Sequence, residues 1–240
     1  MSASIEIQGA GVSFYFDGQR RVLSPTLARL HPRRRQTWGL RGLDLSIQPG
    51  QGVALLGPTG AGKSTLLQLI AGILEPDEGT IETSGRVGTL LAIQAGPTSA
   101  LTGRENAELL SVLGGIPRRQ CAAAVERAKE LTRLGESFEL PMSSYSQGMR
   151  ARLGFALVAQ CDTEILLLDE VHEMLDHEFR AVAAEHARDI LRGGGIVVAA
   201  GHDHGALEPM CDRAVLLRDG TIADDGPFAR VRGDYVPSGA

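Results

Sequence analysis

The stretch Gly57-Pro58-Thr59-Gly60-Ala61-Gly62-Lys63-Ser64-Thr65 constrains this chain more than any other, because it fills every fixed position of the phosphate-loop pattern G-x-x-x-x-G-K-[ST]. The apolar run Val53–Leu56 precedes it and an apolar segment from Leu66 to Ile73 follows, so the order strand, loop, helix is predicted. In that setting the glycines let backbone N–H groups turn inward around phosphates. Lys63 can reach the β and γ oxygens, Ser64 can hold Mg²⁺ through its hydroxyl, and Thr65 opens a helix whose positive end faces the triphosphate. All nine residues from Gly57 to Thr65 are therefore candidate nucleotide ligands.

A phosphate loop needs acids, and Ile165-Leu166-Leu167-Leu168-Asp169-Glu170 supplies them at the end of an apolar strand. One carboxylate, Asp169, is placed to stand beside Mg²⁺, and the next, Glu170, to take a proton from water. Ile165–Leu168 and Ile196–Ala200 are continuous apolar runs, the signature of strands buried on both faces of a parallel sheet, with a helix predicted between them over His177–Leu191. A sheet of that kind needs a sizeable core, and 240 residues with 43% hydrophobic content can bury one as a single domain.

The segment before the phosphate loop reads differently. Ile5–Phe16 alternates and carries Phe14, Tyr15 and Phe16 in a chain that is only 4% aromatic, so a strand is predicted there. Residues 19–37 break the pattern with Arg20-Arg21, Pro25, Pro32 and Arg33-Arg34-Arg35 and read as a basic insertion. It is either a solvated loop or a patch that meets anionic lipid or a membrane partner. From Trp38 the alternation of Leu40, Leu43, Leu45 and Ile47 predicts a second strand, which gives an antiparallel N-terminal part. Thr80–Thr83 and Arg86–Ile93 read as further strands, and about 95–160 reads as an inserted helical segment, with helices over Ala122–Leu134 and Gln147–Ala159. Ala214–Leu217, Asp219-Gly220 and Thr221-Ile222 form a predicted closing hairpin, and 226–240 a loosely held tail.

Composition excludes several classes. A net charge of −5 gives no overall basic field, so no nucleic-acid partner is expected. Cys121, Cys161 and Cys211 form no C-x-x-C pair and suggest neither a disulfide framework nor zinc. No apolar run approaches the roughly 18 residues of a membrane span, and the N-terminus lacks the basic and apolar regions of a secretory signal. His172, His177 and His186 lack metal-ligand spacing.

Ser143-Ser144-Tyr145-Ser146-Gln147-Gly148-Met149-Arg150 is by itself a polar helix start with anion-binding capacity. Taken with the phosphate loop, the acid pair and His202 just after Ile196–Ala200, it resembles the ATPase subunit of an ABC transporter over about residues 5–225. The resemblance implies an α/β fold of the P-loop NTPase (RecA-like) type: a mostly parallel sheet core, an N-terminal antiparallel β subdomain and an inserted α-helical subdomain. It makes Gly57–Thr65 the Walker A loop, Asp169 the magnesium-side acid, Glu170 the general base and His202 the switch histidine at the γ-phosphate. Tyr145–Met149 resembles the family's Leu-Ser-Gly-Gly-Gln signature, so Ser146 and Gly148 are expected to bind ATP held by a second copy of the chain. Asp176 lies where the family's subunit-contacting D-loop falls, although Glu173-Met174 replaces the usual Ser-Ala. Gln94 resembles the glutamine that touches Mg²⁺ and senses the membrane partner, and Phe16, with Tyr15 next, the aromatic that stacks on adenine.

Leu101-Thr102-Gly103-Arg104-Glu105-Asn106, the signature region with Arg150 and Arg152, and the insertion before Trp38-Gly39-Leu40-Arg41 look like exporters of O-antigen, capsule or teichoic acid. The expectation is a homodimeric ATPase using ATP and Mg²⁺, held at the cytoplasmic face of the membrane by a separate permease. The same engine could serve an exporter of drugs, antibiotics or lipids. A phosphate-loop kinase would leave Tyr145–Met149 and His202 without a purpose, and a DNA- or ribosome-acting member of the family would need a coiled-coil insertion or a second cassette.

Overall fold

Two sheets share one core in the computed structural model, which describes residues 3–16, 22–23, 35–89, 99–169 and 176–235. The first is built from β1 (Ser4–Phe16), β2 (Val22–Leu23) and β3 (Arg35–Ile47). β1 runs antiparallel to β3 from Ile5↔Ile47 to Phe16↔Arg35, and to β2 at Tyr15↔Leu23. The alternation that predicted these strands turns Ile5, Ile7, Leu43, Leu45 and Ile47 into the core. Bulges between Ile7 and Ser13 bend β1, and the backbone and hydroxyl of Ser13 both donate to Asp77 Oδ2, at 2.7 and 2.8 Å.

β4 (Gly52–Leu56) leads into the phosphate loop and α1 (Lys63–Ile70). β5 (Glu78–Ser84) then joins the first sheet beside β1, and β6 (Val87–Thr89) begins the second. Three α-helices follow, α2 (Gly103–Leu113), α3 (Arg118–Thr132) and α4 (Gln147–Val158), with short 3₁₀ turns at Gly135–Glu139 and Met142–Ser144. The chain closes with β7 (Ile165–Leu168), α5 (His177–Arg192), β8 (Ile196–Ala200), α6 (His204–Leu207), β9 (Arg213–Arg218), β10 (Thr221–Pro227) and α7 (Phe228–Asp234).

The second sheet has the order β10-β9-β4-β8-β7-β6, parallel throughout except for β10. Its central strands are buried on both faces, which is why they read as unbroken apolar runs. Leu55, Ile165, Leu167, Ile196 and Val198 face α1 and the first sheet. Their neighbours Leu56, Leu166, Leu168 and Val197 face Phe155 of α4, Phe179 and Ala183 of α5, and Phe228 of α7. A third cluster, centred on Phe138, Val125 and Leu153, holds α2, α3 and α4 together. Each fully buried Leu, Ile or Phe contributes about 1.5–3 kcal/mol from burial alone.

Several boundaries differ from expectation. The helix after the phosphate loop starts at Lys63 rather than Thr65 and ends at Ile70 rather than Ile73. The basic insertion is trimmed at its end, because Arg35, Gln36 and Thr37 pair with Phe16, Tyr15 and Phe14, and ladder hydrogen bonds extend β3 three residues before Trp38. Val22 and Leu23, within it, are likewise strand. Arg20, Arg21, Arg33 and Arg34 lie outside the described residues, as do Leu90–Ile93 of the strand expected over Arg86–Ile93. The tail carries regular structure within its described part, the end of β10 and α7. β10 alternates exposed and half-buried positions, and Phe228 and Val231, one helical turn apart, are buried against the parallel sheet. The residues 236–240 lie outside the described set.

Candidate nucleotide site

The phosphate loop is shaped by what surrounds its glycines. Gly57 adopts φ 141°, and a Cβ there would come within 2.3 Å of the Leu217 carbonyl oxygen of β9. Gly62 adopts φ 107°, and its Cβ would meet Leu40 Cδ2 of β3 at 2.4 Å. Only glycine satisfies both the torsion and the space, so the loop threads between β9 and β3. Gly62 is also the N-cap of α1. No side chain caps that helix and its first turn carries no acid, so the positive end of its dipole is left to an outside anion. Lys63 is buried, and its Nζ donates to the carbonyl oxygens of Gly57 at 2.8 Å and Pro58 at 3.2 Å.

A cleft of about 430 Å³ opens over this loop, within the range of small-ligand sites. The phosphate loop and the first turn of α1 form one wall, and Phe14, Thr37, Trp38 and Gly39 form the other. The guanidinium of Arg41 lies 4.6 Å from the centre of the Trp38 ring. Phe16, the aromatic expected to face adenine, ends β1, and its side chain lies outside what the structure describes. Sequence reading missed Phe14 and Trp38 as cleft residues; the aromatic run and the solitary Trp38 were visible, but the β1–β3 register that sets them over the loop was not. Trp38 is the chain's sole tryptophan, so its emission is expected to change when MgATP binds. Trp38→Ala is expected to weaken MgATP binding about tenfold, in line with base stacking at about 1–3 kcal/mol. Equilibrium fluorescence titration, with a fluorescent nucleotide for the mutant, reads both effects; unaltered emission at saturation speaks against a base beside Trp38.

The acid and the histidine reach the same edge of the sheet through strand register. β4 and β7 both run parallel to β8, with Leu55 opposite Ala200 and Leu168 opposite Ala199, so their C-terminal ends lie level. Asp169 follows β7 directly and is only 8% exposed, whereas His202, just past β8, is exposed. Ligands in open α/β sheets bind outside these carboxyl ends. Asp203, next to His202, caps α6 by accepting from the Ala206 amide at 3.3 Å and pairs with Arg180 at 3.0 Å. Glu170 and Gln94 lie outside the described residues, with Glu173, Met174 and His172.

Ser146 and Gly148 are not among the residues lining this cleft. Ser146 is the N-cap of α4, its hydroxyl accepting from the Met149 amide at 3.2 Å, and Gly148 lies in the first turn. Burial pushes the Tyr145 hydroxyl above its ordinary pKa, and the hydroxyl donates to the Ser137 carbonyl at 2.7 Å. The Leu101–Asn106 phrase has local tasks as well. Thr102 and Glu105 form a capping box on α2, Asn106 donates to the carbonyls of Leu101 and Thr102, and Arg104 forks onto both oxygens of Glu139 at 2.9 Å. Asp176 caps α5, accepting from the Phe179 amide at 2.9 Å, and forms an ion pair with Arg152 of α4.

A larger groove, about 880 Å³, lies away from this chemistry, between β6, the end of α2 and α4. Leu113 on its rim is 70% exposed.

A phosphate loop between a parallel strand and its helix, with an acid at the end of a neighbouring strand, defines a P-loop nucleotide-binding protein. The pattern describing the ABC transporter family matches residues 40–173, and the chain belongs to that family. It is 35% identical over 208 residues to the O-antigen export system ATP-binding protein RfbB of Klebsiella pneumoniae, covering 84% of this chain and 85% of that protein. It is also 30% identical to the teichoic acids export ATP-binding protein TagH of Listeria monocytogenes, covering 82% of this chain and 59% of the relative. Among solved structures, a dimeric post-hydrolysis state of the ATP-binding cassette MJ0796 bound to ADP and Pi superposes with a TM-score of 0.75 at 19% identity, over 93% of this chain and 98% of the other, a likeness of fold.

Proposed function

We propose that this chain is the ATP-hydrolysing subunit of a membrane-bound exporter of lipid-linked polysaccharide, of the O-antigen, capsule or teichoic-acid type. The observation that carries the ATPase reading is the cleft in which an uncapped helix start and a buried lysine meet an aromatic wall, because it offers anion contacts at one end and a stacking surface at the other. The glycan reading is supported by the likeness to relatives named for O-antigen and teichoic acid export.

In this reading Lys63 exchanges its carbonyl partners for β and γ oxygens when the triphosphate enters. The hydroxyl of Ser64 and the carboxylate of Asp169 are oxygen donors of the kind a hard divalent cation takes, with Gln94 joining them. Mg²⁺ held there neutralises charge on the β- and γ-phosphates. Glu170 accepts a proton from water as the water oxygen attacks the γ-phosphorus, the bond from that phosphorus to the bridging oxygen breaks, and ADP carries away the electron pair. His202 donates to a γ oxygen. Ser146 and Gly148 close the site on the nucleotide of a second copy, with Asp176 at the contact between subunits, so each dimer holds two shared sites. The permease holds the chain at the cytoplasmic face of the membrane; no described helix is long and apolar enough to cross it. We assign the 880 Å³ groove, with its exposed Leu113, to a cytoplasmic segment of that permease.

Ser146→Arg tests the shared site. Placed on one protomer of a mixed dimer, it is expected to silence hydrolysis of the ATP bound by its partner while leaving ATP binding at its own phosphate loop intact. Mixed dimers with full turnover at both sites would contradict the arrangement.

A further inference from the structure

Two arginines attach the first turn of α5 to elements on either side of it. Arg152, on α4 beyond Ser146, forms an ion pair with Asp176, the N-cap of α5. Its Nη1 also donates to the Thr132 carbonyl at the end of α3, at 3.5 Å, and its guanidinium stands 5.5 Å from the centre of the Phe179 ring. On the other side Arg180, one turn into α5, places Nη1 3.0 Å from Asp203 Oδ2. Asp203 caps α6 and follows His202 in the chain. A continuous route thus runs from the helix that Ser146 opens, through the start of α5, to the residue beside His202.

These pairs do little for stability. Their side chains are between about a quarter and a half exposed, a setting in which ion pairs add little. α5 is already anchored by Phe179, packed edge-on against Phe155 of α4 at 5.6 Å, and by buried Ala183 and Ala187. What the arginines add is direction: they fix how the N-cap of α5 and the N-cap of α6 are turned relative to α4.

We propose that Arg152 and Arg180 are positioning residues that link the signature helix to the His202 loop of the same protomer, so that a nucleotide engaged at Ser146 sets the stance of His202 toward the protomer's own nucleotide. This rests on the shared-site reading above. In such a dimer Ser146 faces the partner's ATP and His202 faces the chain's own, so the relay makes the two sites interdependent. Coupling between sites is typically worth about 5- to 150-fold in affinity, and two interacting sites give a Hill coefficient approaching that number of sites.

The test is the ATP dependence of hydrolysis by the full chain, for wild type, Arg152→Gln, Arg180→Gln and the double variant. The expected result is a Hill coefficient that falls toward 1, as the loss of coupling between two sites requires, with MgATP binding to the dilute monomer, read by Trp38 emission, and the thermal midpoint little changed. The swap Arg180→Asp with Asp203→Arg is expected to restore part of the cooperativity. Arg180→Lys, which keeps the charge, is expected to retain it and serves if a glutamine variant folds poorly. Unchanged cooperativity in the double variant, or cooperativity lost in Arg180→Lys at wild-type stability, overturns the relay. A wild type without cooperativity, together with a Ser146→Arg that silences only its own site, overturns the shared-site reading itself; wild-type cooperativity that ignores both arginines overturns the relay alone.

Discussion

Lys63→Ala is expected to abolish ATP turnover and to weaken MgATP binding by at least about a hundredfold, since hydrogen bonds to charged groups are worth about 1.5–3 kcal/mol each and this ammonium makes more than one. The loop offers the phosphates no other positively charged side chain. Backbone amides and the start of α1 remain, so the residual affinity reports their share. The same substitution removes the donor that the Gly57 and Pro58 carbonyls share, at 2.8 and 3.2 Å, so the nucleotide-free protein is expected to lose about 1 kcal/mol of stability. Calorimetric titration reads the affinity and thermal melting the stability. Wild-type affinity in the variant would remove Lys63 from the site.

The second large effect is expected at Glu170. Glu170→Gln keeps the side chain's size and its ability to orient water but removes the carboxylate proposed to accept the proton, a change worth a factor of about 10² to 10⁴ in rate. Binding is expected to survive, because Lys63, Ser64 and Asp169 are untouched. The closed dimer then accumulates, held by ATP that it cannot discharge. Asp169→Asn is the contrasting variant: it alters the carboxylate at the end of β7 that we propose holds Mg²⁺, and it is expected to give no stable dimer. Size-exclusion chromatography with light scattering, with and without MgATP, separates the two. A Glu170→Gln protein that stays monomeric at saturating ATP, or that turns over at the wild-type rate, would sink the general-base assignment.

The features legible in sequence were those enforced locally. Ile165–Leu168 and Ile196–Ala200 appear in the structure with the bounds their apolar runs predicted, because a strand covered on both faces has no polar position to blur its ends. The phosphate loop was legible because its torsions and close approaches admit glycine at Gly57 and Gly62. Charge in the tail misled, since Phe228 and Val231, the two buried residues of α7, make too short an apolar pattern to stand out among the charged residues around them. Periodicity marked the central strands as segments, but only the tertiary structure decided that β4 lies between β8 and β9, elements contributed from far along the chain. The same holds for Trp38 and Phe14 at the cleft, and for Arg152 and Arg180 at the two caps they join. A residue's own torsions and its burial on a repeating face are written in its neighbours in sequence. Which distant side chain it meets is set by the packing of whole sheets and helices, where the free energy is summed over many contacts that no short window contains.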